Sequence, residues 1–414
     1  MRRYRVRALF VSGAMIVACQ DARDARASRV ADSGLATGSA SSRSRLAARD
    51  TLAGFTVPVQ CAKGSVPQPK QPAATRVAVT SRNGADSARR TRSDSMHMSA
   101  AAGDTALAGA TVSTDNTKPK SAKAVHADSV ARVRVTMHAD SLAAIALRTD
   151  SAATKRLPGS LLPGCRIVAY YGNPMSKRMG ILGEIKPDSM LARLAKQAAA
   201  YQAVDSARPV LPALELIATV AQAGPGKSGL YRARMPDTLI DRVMGWAEAH
   251  HYLVILDIQT GRSTMAAELV PLMKYVARPY VHLALDPEFS IGTKKIPGKV
   301  IGRIDAADVN AVSSVLAHLV DSLKLPPKML IVHRFTTPML SNHEKINLDP
   351  RVQIVIDMDG FGPPRLKYGS YKAYVHDRPV QYAGFKVFYK NDKPMLTPEQ
   401  VVQMDPVPLF IMYQ

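Results

Sequence analysis

The segment His250–Thr264, HHYLVILDIQTGRST, decides how the chain is read. An apolar run from Tyr252 to Leu256 meets an aspartate, Asp257, with no turn residue between them. Two further segments repeat the pattern. YVHLALDPEF (280–289) runs into Asp286 and Glu288, and VQIVIDMDG (352–360) runs into Asp357 and Asp359. Short Val/Ile/Leu-rich runs of this kind read as strands buried on both faces, as in a parallel sheet.

Working outward, eight such runs lie between Arg166 and the last residue. They are RIVAYYG (166–172), PALELIAT (212–219), YLVILDIQ (252–259), VHLALD (281–286), KMLIVHRF (328–335), VQIVIDMD (352–359), FKVFY (385–389) and PLFIMYQ (408–414). Amphipathic stretches separate them: Asp188–Val204, Thr238–His250, Met265–Val276 and Ala306–Leu323, with shorter pieces at Tyr368–Val375 and Pro398–Met404. Eight strand–helix units in about 250 residues are the size of an α/β (β/α)8 TIM barrel. The alternative is a doubly wound open sheet. That fold normally uses fewer strands, and no glycine-rich phosphate loop follows the first strand.

A carboxylate after a strand can be a helix cap. Asp188, Asp237 and Asp305 each stand at a predicted helix start, where a side-chain oxygen satisfies free backbone N–H groups. Asp257 does not fit that role, because Ser263 is the better cap for the next helix. Pro287 argues against a helix starting directly after Asp286.

Strand side chains alternate, so parity sorts them into inward and helix-facing sets. The inward set collects His282 and Asp286, with Glu288 continuing it, then Asp257 with Gln259, and Asp357 with Asp359. His333, Glu215 and Lys386 fall inside as well. Buried charges are costly unless paired, and strand C-terminal ends are where TIM-barrel enzymes carry their chemistry. Asp257, Asp286, Glu288 and Asp357 are therefore the expected catalytic set. Glu288 is the expected general acid, as the longer side chain beside another carboxylate, and Asp257 the expected nucleophile or base. Two such carboxyls cleave a glycosidic bond by protonating the leaving oxygen and attacking from the opposite side. Gln259, His282, His333 and Asp359 are expected to bind substrate, and Tyr171, ending the first strand, to stack on a sugar ring. Glu215 with Lys386 reads as a structural ion pair, and Trp246, in a helical run, as core.

Imidazole with carboxylate suits zinc, and His282 or His333 with Asp257, Asp286 or Asp357 would supply both. There is no HxH after the first strand and no HExxH, so neither a metal nor another cofactor is expected. A third class is a non-catalytic barrel that binds polymer or a partner protein.

The chain begins MRRYRVRALFVSGAMIVACQ, with four arginines followed by an apolar run too short to span a bilayer. Ile16-Val17-Ala18-Cys19 resembles the lipobox of bacterial lipoproteins, which implies lipid on Cys19 and an envelope anchor. Residues 20–162 are rich in Ser, Ala, Asp and Arg, repeat the tripeptide ADS, and hold one aromatic, Phe55. Such a segment is expected to form a disordered tether; LAAIAL, within 138–155, is its best helix former. Residues 1–165 carry 25 Lys and Arg against 11 Asp, so +14 of the +22 charge lies there and +8 on 166–414. The high pI thus belongs mostly to the tether, and with no basic–aromatic motif a nucleic-acid partner is not expected. Beyond Cys19, Cys61 and Cys165 are available to pair in an oxidising envelope, although Cys61 falls in the tether.

GNPMSKRMGILGE (172–184), ILDIQTGRS (255–263), LALDPEF (283–289), IGRIDAADVN (301–310) and DMDGFGPPRLK (357–367) together resemble an uncharacterised family of secreted bacterial lipoproteins with a glycoside-hydrolase-like TIM barrel. The resemblance spans residues 166–414 and implies the fold and a glycosidase-like function. It adds Glu184 to the candidate site, and Arg262 either holds a polar ligand group or pairs with Glu268. The expected organisation is a signal at 1–19, a linker at 20–162 and a barrel at 163–414. The expected partner is a polysaccharide or cell-wall polymer.

Overall fold

The computed structural model describes Cys61 and residues 156–414. The signal, the lipobox, nearly all of the tether and its LAAIAL segment lie outside the described residues. Eight strands run β1 (Arg166–Gly172), β2 (Val210–Ala221), β3 (Leu253–Ile258), β4 (Val281–Leu285), β5 (Lys328–Arg334), β6 (Val352–Met358), β7 (Tyr382–Val387) and β8 (Phe410–Tyr413). Each pairs in parallel with its neighbours, and β1 joins both β2 and β8, so the sheet closes. This is a (β/α)8 TIM barrel. The short strand Arg232–Arg234 adds antiparallel to the end of β2.

Helices Pro187–Val204, Asp237–His250, Met265–Leu269, Ala306–Leu323, Pro364–Tyr371 and Pro398–Val402 cover the outside. Every residue of β1, β3, β4, β5 and β6 is buried, which explains how rich they are in apolar residues. Each Val, Ile or Leu so removed from water contributes about 1.5–3 kcal/mol. Against that background Asp257, at 0 % exposure on β3, is conspicuous.

Several local expectations are corrected. Strand β7 begins at Tyr382, three residues before FKVFY, and Phe388 and Tyr389 leave the strand. Tyr382-Ala383-Gly384 lacks the apolar density that marked the other strands. Between β5 and β6 there is no α-helix, only 3₁₀ turns at Thr337–Met339 and His343–Lys345 around the two-residue strand Leu340–Ser341. Asp305 does cap its helix, in a reciprocal box with Asp308. Asp188 and Asp237 lie inside the first turn instead, behind N-caps Lys186 and Pro236, where the positive end of the helix dipole favours a carboxylate. The cap before Met265 is Thr264, not Ser263. Pro287 does not prevent a helical turn: Asp286 caps a 3₁₀ turn, Pro287–Phe289, by accepting from the Glu288 N–H. Proline is favoured in that first position, where no N–H is needed.

The N-terminal end of the barrel is sealed by residues assigned above to the linker. Leu161 and Leu162 are buried, and their backbone N–H groups donate to Gln353 Oε1 on β6, whose Nε2 donates back to Leu162 O. A disulfide joins Cys165 to Cys61, which is fully buried. The two cysteines lie 104 residues apart, so sequence position hid a pairing that proximity makes plain.

Gly384 on β7 faces the barrel interior, and a Cβ there would stand 2.7 Å from Asp357 Oδ1 and 3.0 Å from Asp357 Cα and Val355 Cγ1. Gly384→Ala is expected to lower stability by about 1–3 kcal/mol through overpacking. Denaturant melts should show a lower midpoint with an unchanged slope.

Candidate functional site at the barrel mouth

The parity argument places side chains from six strands in one interior, and most of them meet. His333, near the end of β5, is the hub. Its Nε2 lies 3.0 Å from Glu215 Oε1 and 4.0 Å from Asp257 Oδ1. Its Nδ1 lies 3.4 Å from Asp357 Oδ2 and 3.5 Å from Asp359 Oδ2. Lys386 of β7 stands 3.8 Å from Asp359 Oδ2, with its ammonium 3.9 Å from the centre of the Tyr171 ring. Glu215 therefore pairs with His333 and Lys386 with Asp359, which replaces the expected Glu215–Lys386 pair.

A second chain of contacts leads toward the mouth. Tyr171 Oη donates to Asp257 Oδ2 at 3.2 Å, and Gln259 Nε2 donates to Tyr171 Oη and to Asp286 Oδ2 at 3.2 and 3.1 Å. Asp286 Oδ1 then accepts from the Glu288 backbone at 3.1 Å. The Glu288 side chain is partly exposed, whereas Glu215, Asp257, Asp286, His333 and Asp357 are buried.

Burial sets the proton positions. It raises the Asp257 carboxyl well above its usual range, with help from Asp286 and opposition from His333. The expected nucleophile or base, Asp257, is fully buried, with its Oδ2 taken by the Tyr171 hydroxyl. Burial lifts Asp286 to about 6. Burial, then the charges of Asp286 and Asp359, lift Glu288 to about 8. Burial also raises Asp357, partly offset by its contact with His333. For His333 burial acts in the lowering direction, but the Asp357 carboxylate facing Nδ1, the hydrogen-bonded Glu215 and the surrounding negative charge outweigh it, so the imidazole holds its proton well above the usual range.

Three expected site residues stand elsewhere. His282 has the predicted inward parity but lies at the opposite end of the barrel, where Nδ1 accepts from the Met329 N–H at 3.0 Å. Burial, reinforced by nearby Lys328, keeps it neutral. Glu184 pairs with Lys390 at 2.8 Å on the loop after β7. Arg262 stacks 3.8 Å over the Tyr231 ring and donates to Lys295 O, while Glu268 is taken by Arg232 and Arg234. Tyr171 is only 2 % exposed, so its face offers no platform to a sugar. The aromatic surface at the mouth is instead Phe361, 40 % exposed, packed edge-on at 5.7 Å against Phe388. The Phe388 ring in turn lies 5.1 Å from the Lys386 ammonium. Phe361 lies in the loop DGFGPP (359–364), among glycines and prolines that give no apolar run to mark it. Trp246 is partly buried against the core, as expected.

One donor atom each from Glu215, Asp257 and His333 lies within 4.8 Å of the others, and this trio is the group able to hold a metal ion among the described residues.

No family model matches the chain, and no curated protein matches it. Two solved structures are similar at low level. One is a ruminal GH26 endo-β-1,4-mannanase, with 10% identity and a TM-score of 0.28 over 61% of this chain and 59% of that one. The other is a β-mannanase from a symbiotic protist of the termite Reticulitermes speratus, complexed with gluco-manno-oligosaccharide. It shows 11% identity and a TM-score of 0.30 over 60% of this chain and 79% of that one. The chain spans about three fifths of the ruminal enzyme's length. The barrel is established by its own strand pairings.

Asp286 and Glu288 bind protons more tightly when folded than their ordinary values of 3.8 and 4.5. Their protonation stabilises the fold fully below about pH 4, and that contribution is lost as pH rises toward about 6 for Asp286 and about 8 for Glu288. Thermal melts of wild type should therefore show stability falling between pH 5 and 8 relative to an Asp286→Asn/Glu288→Gln double variant, in which this part of the slope disappears.

Proposed function

We propose that this protein is an envelope-anchored glycosidase-like barrel that cleaves a polysaccharide by carboxyl acid–base chemistry. The observation that carries the reading is Glu288. It is partly exposed at the mouth, and burial with neighbouring carboxylates pushes its carboxyl up to about 8, so it holds a proton at neutral pH. A general acid for a glycosidic oxygen needs that property. Asp359, just past the end of β6, is the partner carboxylate, with Lys386 and His333 beside its Oδ2. Asp286 and Asp357 support these two from behind, and Phe361 with Phe388 offers the sugar an apolar face. Asp257 belongs to the buried layer that fixes the site. Cys19 carries the lipid, residues 20–60, up to the cysteine bonded to Cys165, set the barrel's reach from it, and the substrate is a polymer outside the cytoplasm.

The test is release of new reducing ends when the purified full chain is incubated with envelope and plant polysaccharides. Glu288→Gln and Asp359→Asn are each expected to lower the rate by about 10²–10⁴-fold, and wild-type activity should decline above about pH 8 as Glu288 loses its proton. Binding without cleavage would make the domain a carbohydrate-binding barrel instead.

The anchor has its own test. Cys19→Ser, expressed in a bacterial host, should move the protein from the membrane fraction to the soluble fraction. An unchanged distribution would exclude lipid on Cys19 as the anchor.

A further inference from the structure

Carboxylates outnumber cations inside the barrel. Glu215, Asp257, Asp286, Asp357 and Asp359 face two basic side chains, His333 and Lys386. Five of their oxygens are buried without a hydrogen-bond donor: Glu215 Oε2, Asp257 Oδ1, both oxygens of Asp357, and Asp359 Oδ1. Buried polar atoms are nearly always satisfied, and a cluster of exceptions marks a missing partner. Water can satisfy some of them. A cluster this rich in negative charge, with an imidazole at its centre, calls for a cation.

The geometry identifies where that cation sits. Three donor atoms, one each from Glu215, Asp257 and His333, lie within 4.8 Å of one another, and all three residues are at most 1 % exposed. His333 Nε2 is 3.0 Å from Glu215 Oε1 and 4.0 Å from Asp257 Oδ1, and this Oδ1 is one of the unpartnered atoms. Ligands bonded to one metal ion at about 2.0–2.2 Å stand about 3–3.5 Å apart, so the Glu215–His333 pair already has that spacing and the Asp257 carboxylate has to draw in. Behind the imidazole, Asp357 Oδ2 faces Nδ1 at 3.4 Å. A carboxylate in that place fixes a metal-binding histidine in the tautomer that presents Nε2. Tyr171 does the same for Asp257, donating to Oδ2 and leaving Oδ1 turned to the site.

We propose that Glu215, Asp257 and His333 form a binding site for one divalent transition-metal ion, with Asp357 as the carboxylate that orients the imidazole. One imidazole with two carboxylates suits Zn²⁺ or Mn²⁺, whereas Mg²⁺ and Ca²⁺ favour all-oxygen sites. The ion takes the place of the proton between Nε2 and Glu215, so proton and metal are alternative ways of putting positive charge at the same point. This goes beyond the glycosidase reading and does not rest on it.

The experiment is calorimetric titration of the chelator-stripped full chain with ZnCl₂ and with MnCl₂, paired with thermal melts. Wild type should take up one equivalent and melt higher in excess metal, because an ion that binds only the folded state stabilises it. Glu215→Gln and Asp257→Asn keep side-chain shape and should abolish that uptake, while their metal-free melts show that they still fold. Asp357→Asn should weaken binding about 10–100-fold. Two results would overturn the proposal: folded wild type that binds neither ion, or binding of equal strength in both ligand variants. The second result would place the ion elsewhere, for example on His97, His126 or His138 outside the described residues. Because the titration reads binding and not cleavage, a failed glycosidase assay leaves its answer intact.

Discussion

The structure turns on one buried imidazole held among four carboxylates. His333 reaches Glu215 and Asp257 through one nitrogen and Asp357 and Asp359 through the other, so strands β2, β3, β5 and β6 meet at a single ring. Each of those carboxylates would be expensive to leave ionised and alone inside a protein. Held together they share one cation, and the cost of breaking the arrangement falls on every strand that enters it. Barrel closure and charge balance are therefore one constraint: the ring of strands cannot loosen without separating buried opposite charges.

From that hub the site grades outward. Deep residues are locked by packing and by one another. Asp286 already divides its two oxygens between Gln259 and the Glu288 backbone, and Glu288 itself reaches water. The same gradient runs through proton affinity, because burial and crowding both penalise the ionised carboxylate. Glu288 is the carboxyl with most freedom to move, above a packed layer in which carboxylates outnumber cations. The far end of the barrel is organised for stability instead, with Leu161 and Leu162 bonded to Gln353 and the disulfide from Cys165 to Cys61 beside them.

How much of this was legible in the sequence depended on how local the signal was. All eight strands were marked by runs rich in apolar residues, and β7 was misplaced by three residues because Ala383 and Gly384 dilute its start. Parity alone brought Asp257, Gln259, Asp286, Asp357 and Asp359 to the interior, since alternation follows from the extended backbone. Capping was less secure. Asp188 and Asp237 look like caps, but Lys186 and Pro236 hold those positions and the two aspartates lie within the first turns, and Asp286 caps a turn that the following proline had argued against.

His282 and His333 mark the boundary between the two kinds of knowledge. Both are single histidines of inward parity on adjacent parallel strands, but His282 is the second residue of β4 and His333 the sixth of β5. That difference in position along the strand puts His333 among carboxylates at the mouth and His282 beside Lys328 at the opposite end. The sequence by itself determined the strand set, the barrel class and which side chains point inward, because these follow from side-chain period and helix spacing along the chain. Tertiary structure alone decided depth and partner: that Glu215 meets His333, that Tyr171 is too buried to stack on a sugar, and that Cys61 reaches Cys165 across 104 residues. Depth and partnership depend on how distant strands are staggered when the ring closes, and no stretch of local sequence encodes that stagger.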